Sequence, residues 1–327
     1  MREVVRSAVE DIDELEAAGR WAEAAEYWER VVADQPDIRS VTRCGRALAK
    51  AKRPEAAKKM LGEALRLDPD FPAATFQFGL LLTEEHRLEE AASYFERGLA
   101  RAEVQPILTV LGATQRSLGR AAEATRSLRR ALELDPEDSE AHFHLAMVLR
   151  ESDRSEAVRL LRRAVELDPS TASAHRELGL LLWATGTGQD SLAEAEFHLR
   201  YALRLNDEDA WAHHHLGLVL RYKGQLSIAE RHLRRAAELM PSNELVFSDL
   251  GGLLNTVGQL DAAKSAFQHA LSLSPQSPIV LREYGLFERA HGNHSAAHDL
   301  LERAVRLDPD DRRAREALAA IEREGVN

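Results

Sequence analysis

The sequence predicts an all-α protein made of tandem helix–turn–helix units, and three observations predict it. Proline recurs at Pro36, Pro69, Pro136, Pro169, Pro241, Pro275 and Pro309, at intervals of 33, 67, 33, 72, 34 and 34 residues. The interval of 67 conceals a unit in which Glu103 takes the proline slot; that of 72 conceals one in which Asp207 does, with about four extra residues. The period is therefore about 34, in the range of repeat architectures. Within a period the apolar residues fall at helical spacing. In "AWAHHHLGLVLRYKGQLSIAERHLRRAAELMP", Leu216 and Leu220 lie four apart, Gly224 interrupts, and Ala229, Leu233 and Ala236 mark a second amphipathic helix that Pro241 stops. Finally, Gly217 and Ala229 place small residues where the two helices of a pair meet.

Composition agrees with a packed, elongated array. The chain has 327 residues, 44% of them apolar, with 11 prolines and 18 glycines, which excludes a disordered or low-complexity chain. A net charge of −11 argues against general attraction to nucleic acid or anionic membrane. Cys44 is the single cysteine, so no internal disulfide framework exists and a reducing compartment suits the chain. The opening "MREVVRSAVEDIDELE" lacks the apolar core of a secretory signal, and no apolar run reaches the ~18 residues of a membrane span. The expected location is cytoplasmic.

The units follow in order, starting near residues 5, 38, 72, 105, 139, 172, 210, 244 and 278. The first is the most divergent, lacking Leu-Gly ahead of Gly19. The fifth drops a residue from its inter-helix turn, "RESDRSEA", and the sixth lengthens it, "WATGTGQDSLAEAE". The turn from Thr185 to Ser191, with Gly186 and Gly188, is expected to be a flexible loop or to project from one edge. Residues 312–323, "RRAREALAAIER", form a polar helix that caps the last unit through Leu318 and Ile321. The expected organisation is one array over 1–311 followed by a capping helix and tail over 312–327.

With an aromatic or histidine at position 4, Leu-Gly at 7–8, Gly at 15, Ala at 20 and 27 and Pro at 32, the repeat resembles the tetratricopeptide repeat (TPR). The resemblance covers nearly the whole chain. It implies a right-handed superhelical solenoid of antiparallel helix pairs, with the first helix of each pair lining a concave groove. It also implies that positions 2, 5, 6, 9, 12 and 13 point into that groove while 4, 7, 8 and 11 pack internally. Fold does not name function, because such arrays serve many partners.

The triplet His213-His214-His215 is then divided. His213 takes the packing position, as do His142 and His175 in the two preceding repeats, whereas His214 and His215 should reach the groove. Neighbours on a helix diverge by about 100°, so three rings in sequence do not chelate one ion. His144, Glu177, His215 and Asp249 recur at position 6 of successive repeats, which suits an inter-repeat hydrogen-bond ladder better than a closed metal site. No metal or cofactor is expected.

Groove positions carry Arg39, Arg43, Arg46, Lys50, Arg116, Arg150, Arg176, Arg221, Arg282 and Arg289 against Glu84, Glu140, Glu151, Glu177, Asp249 and Glu283. A basic lining in an acidic protein points to a carboxylate-bearing or acidic segment as ligand. Phe76, Phe143, Met147, Trp183, Trp211 and Tyr222 lie among these charges, and aromatics beside arginine make interface hot spots. The candidate partner-binding residues are Arg43, Arg46, Phe76, Phe143, His144, Arg150, Arg176, Trp183, Trp211, His214, His215, Arg221 and Tyr222. Any His215 contribution is expected to strengthen below about pH 6.5. Two family ligand patterns do not carry over: no repeat has the Lys–Asn pair that holds chaperone C-termini, and none has the asparagine ladder of the O-GlcNAc transferase repeats.

Second helices carry Arg129-Arg130, Arg162-Arg163 and Arg234-Arg235. Glu133, Glu166 and Glu238, four residues after each first arginine, mark ordinary solvated faces. No catalytic constellation appears: neither G-x-S-x-G nor H-E-x-x-H occurs. The expected function is a non-enzymatic adaptor that binds a protein or acidic peptide, without nucleic acid or membrane. A scaffold that self-assembles through exposed faces or end caps stays open as the alternative.

Overall fold

Residues 12–185 and 188–323 are described by the computed structural model. Among them, helix α1 (residues 12–17) precedes α2 (Trp21–Asp34), and four further pairs complete the first half. These are α3 (Ile38–Lys50) with α4 (Pro54–Leu67), α5 (Pro72–Glu84) with α6 (Leu88–Arg101), α7 (Gln105–Ser117) with α8 (Ala121–Leu134), and α9 (Ser139–Leu149) with α10 (Arg154–Leu167). The second half holds α11 (Ala172–Thr185) with α12 (Gln189–Leu205), α13 (Ala210–Tyr222) with α14 (Leu226–Leu239), α15 (Glu244–Thr256) with α16 (Leu260–Leu273), and α17 (Pro278–Ala290) with α18 (His294–Leu307). A final helix, α19 (Arg312–Arg323), follows. No described residue lies in a strand.

The sequence logic of each pair is visible at its contact. Ala57, Ala91, Ala124, Ala157, Ala195, Ala229, Ala263 and Ala297, the small residues of the second helices, are all 0% exposed. Opposite them the first helix offers glycine, or Ala146 in α9, and a Cβ on Gly217 would stand 2.7 Å from Leu233 Cγ. Such a distance requires glycine if the leucine is to keep its seat. Several first helices start at a side-chain cap: Asp37 forms a capping box with Ser40, and Asp138, Asp209 and Asn243 accept from helix amides. In seven of the described pairs the intra-pair turn passes through a left-handed residue, for example Gly224 at φ 75° and Gly258 at φ 82°; Lys52 and His86 adopt the same conformation at 60° and 59°.

The chain divides into two compact units, one ending at Leu167 and the other beginning at Asp168. The division falls between repeats five and six, so each unit holds whole helix pairs. Within unit 1, α3 touches α5 and α7 touches α9; within unit 2, α11, α13, α15, α17 and α19 follow one another in the same way. Second helices instead pack on the next first helix. First helices therefore crowd on the inner face of each unit. α19 covers the last pair with Ala314, Ala317 and Ile321 buried and Leu318 half-buried.

The expected loop in the sixth repeat is different. α11 has 14 residues and α12 has 17, against 13 and 14 in the pair that follows. The inserted residues are thus taken up as helix. Thr185 closes α11 with its hydroxyl donating to Leu181 O at 2.7 Å, and Ser191 lies inside α12. Gly186 and Thr187 lie outside the described residues, and Gly188 is the N-cap of α12.

Candidate partner-binding face

The inner face of unit 2 is built from α11, α13, α15 and α17. Trp211, His215 and Tyr222 stand at spacings of 4 and 7 residues on α13, which aligns them on one side of the helix. Trp211 is 42% exposed and Tyr222 67%. The Trp211 ring stacks on His215 at 5.9 Å and 23°, and Trp183 on α11 meets Tyr222 edge-on at 5.4 Å. Arg221 extends over Gly252 of α15, where a Cβ would come within 3.1 Å of its Nη1. The result is an exposed aromatic stripe with a cation beside it.

At three repeats position 5 holds a polar side chain, Thr109, Arg176 or Arg282, that clamps the aspartate capping the next first helix. Arg176 pairs with Asp209 at 2.8 Å, and the same carboxylate caps α13 by accepting from Ala212 N. Arg282 pairs with Asp311 at 2.7 Å while Asp311 accepts from Ala314 N. In unit 1, Asp138 caps α9 and is held by Thr109 at 2.5 Å and by Gln105. An Asp before each of these first helices, with a polar side chain five residues into the preceding one, was the sequence signal for this clamp.

Several expected groove groups are therefore engaged internally. His214 is not groove-facing: it is 5% exposed, and its Nε2–H donates to Asp249 at 2.7 Å. Burial, followed by the charge of neighbouring His214, holds His215 down at about 3. It stays neutral through mild acid, which overturns the expected gain below pH 6.5. Arg176 is half-buried between Asp209 and Glu177. In unit 1, Arg43 bonds Asp13 and Glu16 and lies 4.6 Å from the Trp28 ring, and Arg46 also bonds Glu16. Arg150 lies 3.5 Å from Glu151. Phe76 is half-buried with its ring 6.0 Å from Phe95, and Phe143 meets His144 at 5.2 Å. Of the candidate residues, Arg43, Arg46, Phe76, Phe143, His144 and Arg150 belong to unit 1 and the others to unit 2.

The packing histidines act as expected, each donating Nε2–H to a backbone carbonyl of the preceding turn. His142 reaches Pro136 O at 3.0 Å, His175 reaches Pro169 O at 3.2 Å, and His213 reaches Asp207 O at 3.0 Å. In unit 2 the sequence reading missed their partners. His175 and His198 face each other Nδ1 to Nδ1 at 2.9 Å, as do His213 and His232. Since the Nε2 proton of the first ring is committed to a carbonyl, its Nδ1 accepts and the second-helix ring donates. Burial, then the facing His213, lowers His232 to about 4. Cys44 is buried and pushed up to about 11, which makes it a core residue and not a nucleophile.

On the second helices the arginine pairs find carboxylates mostly three residues on, not four: Arg130–Glu133, Arg163–Glu166 and Arg235–Glu238, at 2.7, 3.3 and 3.0 Å. Among the described residues no group of three or more His, Cys, Asp and Glu is arranged to hold a metal ion, and no helix is long and apolar enough to cross a membrane.

Sequence profiles of the tetratricopeptide repeat match residues 44–106, 110–156, 149–196 and 254–321. The chain belongs to the tetratricopeptide repeat family. It is 28% identical over 143 residues to the TPR repeat-containing protein YpiA of Bacillus subtilis, a match covering 43% of this chain and 34% of that one. The matched stretch is thus about a third of that relative. The TPR fold is likewise seen in the Cut9–Hcn1 hetero-tetramer of APC/C, with a TM-score of 0.62 at 18% identity, over 92% of this chain and 59% of that one. PilF of Pseudomonas aeruginosa gives 0.55 at 23% identity, over 68% and 99%. PilW, a type IV pilus biogenesis factor, gives 0.57 at 22% identity, over 66% and 99%. These likenesses establish the TPR fold.

Proposed function

We propose that this TPR protein is a non-enzymatic adaptor, holding a partner protein or a carboxylate-bearing peptide on the inner face of its first helices. The exposed stripe of Trp211 and Tyr222 on α13 carries the reading. These two large aromatic side chains, about 16 Å apart along one helix face at 1.5 Å per residue, touch neighbouring rings on one side only and leave much of their apolar surface in solvent, where it costs solubility. Against a partner they supply burial, the main source of hot-spot affinity. Arg221 makes no ion pair among the described residues, so its guanidinium is available to a partner carboxylate and sets register and on-rate. With Arg176 and Arg282 neutralised internally, recognition rests on aromatic burial with a few charges, not on a broad cationic field.

The test is capture of partners from the source cell by wild type and by the Trp211→Ala/Arg221→Ala double variant. The double variant should remain folded, because both side chains lie on the exposed face, and should weaken binding by more than about 2 kcal/mol. Wild-type binding should also weaken as salt rises. A folded double variant that captures every partner at wild-type strength, together with a wild type that sediments as an oligomer, would replace this reading with self-assembly.

A further inference from the structure

In unit 1, helices α5, α7 and α9 and the start of α6 enclose a depression of about 280 Å3, lined by Leu88, Thr109, Val110, Arg116, Glu140 and His144 among others. Two of its polar atoms are unusual. Arg116 Nε and His144 Nδ1 are both buried with no hydrogen-bond partner, and Arg116 makes no ion pair among the described residues. A buried donor left unmade costs free energy that a ligand oxygen can recover. Guanidinium Nε–H and Nη–H lie in one plane and match the two oxygens of a carboxylate.

The same surface continues into a second depression of about 450 Å3 that shares Thr109, Val110 and Glu140 and is otherwise marked by Asp135, by Glu137, which lies 3.8 Å from Arg163, and by the α9 cap Asp138, which keeps its negative charge while accepting from Ala141 N, Thr109 and Gln105. One cation without a counter-ion thus sits beside an acidic basin. The first depression holds a single positive charge with Glu140 in its lining, so a monoanion fits where a dianion would be repelled. Leu88 and Val110 give an apolar wall for the methylenes of a glutamate-type side chain.

We propose that this pair of depressions is a charge-ordered peptide site. Arg116 and His144 receive the carboxylate of an acidic residue, and the adjoining acidic basin seats a basic residue close to it in the same segment. The proposal rests on the reading that inner faces of first helices bind partner segments, and it names the segment's chemistry at a place where that reading had assigned none. His144 donates as a neutral ring: burial, then the charge of Arg116, lowers it to about 4. The negative charge of a bound carboxylate offsets that of Arg116, favours the protonated ring and raises it.

The experiment follows the His144 ring by NMR in the full chain, assigned with a His144→Asn variant. The probe is the peptide acetyl-Gly-Glu-Gly-Lys-Gly-amide. It should shift the His144 signals saturably and move their titration midpoint upward by about one pH unit or more. The peptide with Gln in place of Glu should produce no shift. The peptide with Glu in place of Lys should bind about tenfold more weakly or worse. Arg116→Gln should abolish the response while leaving the His142 ring and Trp28 indole signals of unit 1 in place as evidence of folding, and Arg129→Gln on the second-helix surface should change nothing. Equal shifts from the Gln peptide, an undiminished response in Arg116→Gln, or a response to inorganic phosphate that exceeds that to the peptide would overturn the proposal. Loss of partner capture in the Trp211/Arg221 variant with none in Arg116→Gln would sink this site and leave the adaptor reading standing; the converse would keep this site and remove the aromatic stripe of unit 2 as the docking face.

Discussion

His213 shows how much one side chain is asked to do. Its Nε2–H ties α13 to the turn before it through Asp207 O, and its Nδ1 accepts from His232 on α14. A neutral pair satisfies this arrangement, and full protonation of both rings would leave two N–H groups facing each other. His144, His215 and His232 are lowered to about 4, 3 and 4, against about 6.5 in an unfolded chain. Between those values the unfolded chain binds more protons than the folded one. Stability from these groups is therefore complete above about pH 6.5 and is lost as pH falls toward 4, at up to about 1.4 kcal/mol per pH unit for each histidine. Urea midpoints measured from pH 7.5 to 4.5 should fall, and His232→Gln should flatten the fall because its amide is neutral throughout. An identical slope in the variant would contradict the role given to the ring pair. The sequence showed that His213 packs internally; it did not show the pair, because His232 lies 19 residues away on another helix and periodicity alone assigns no partner across a hairpin.

At the scale of a helix, glycine has two opposite meanings that the coordinates separate. A Cβ on Gly79 would stand 2.4 Å from Phe95 Cε1, whereas one on Gly62, inside α4, would meet nothing within 4 Å. Gly79→Ala should therefore destabilise by about 1–3 kcal/mol through overpacking. Gly62→Ala should stabilise by about 0.5–1 kcal/mol, since alanine loses less backbone entropy in a helix. The comparison is a pair of denaturation curves, and destabilisation by both variants would contradict it. Repeat spacing made the Gly-to-core contact legible, because glycine recurs ahead of a large apolar residue in the second helix. Helix extension in the sixth repeat was not legible. "GTGQD" has the composition of a loop, yet the chain after Gly188 runs straight into a long α12 whose core residues Leu192, Ala195, Leu199 and Ala202 are buried. Packing there outweighs local preference.

Across the whole chain, the period of about 34 in prolines and small residues determined the helical pairs and their capping helix, because each pair buries its apolar face only against the next. The candidate face was partly readable: aromatics at positions 2 and 13 of α13, Trp211 and Tyr222, are exposed as a surface position requires. Position 5 misled, since a charge aimed toward the inner face is also within reach of the aspartate that caps the next helix, and the cap claims it. The central claim is that partners dock on the aromatic stripe of unit 2. The chain has 4 tryptophans, and Trp28 is an internal reference, buried with its Nε1–H donating to Glu16 at 2.9 Å. The most direct measurement is the 15N–1H indole spectrum during titration with a captured partner. The account predicts that the Trp183 and Trp211 indoles move to saturation while Trp28 stays in place; Trp183 and Trp211 signals that remain unmoved at saturating partner would contradict it.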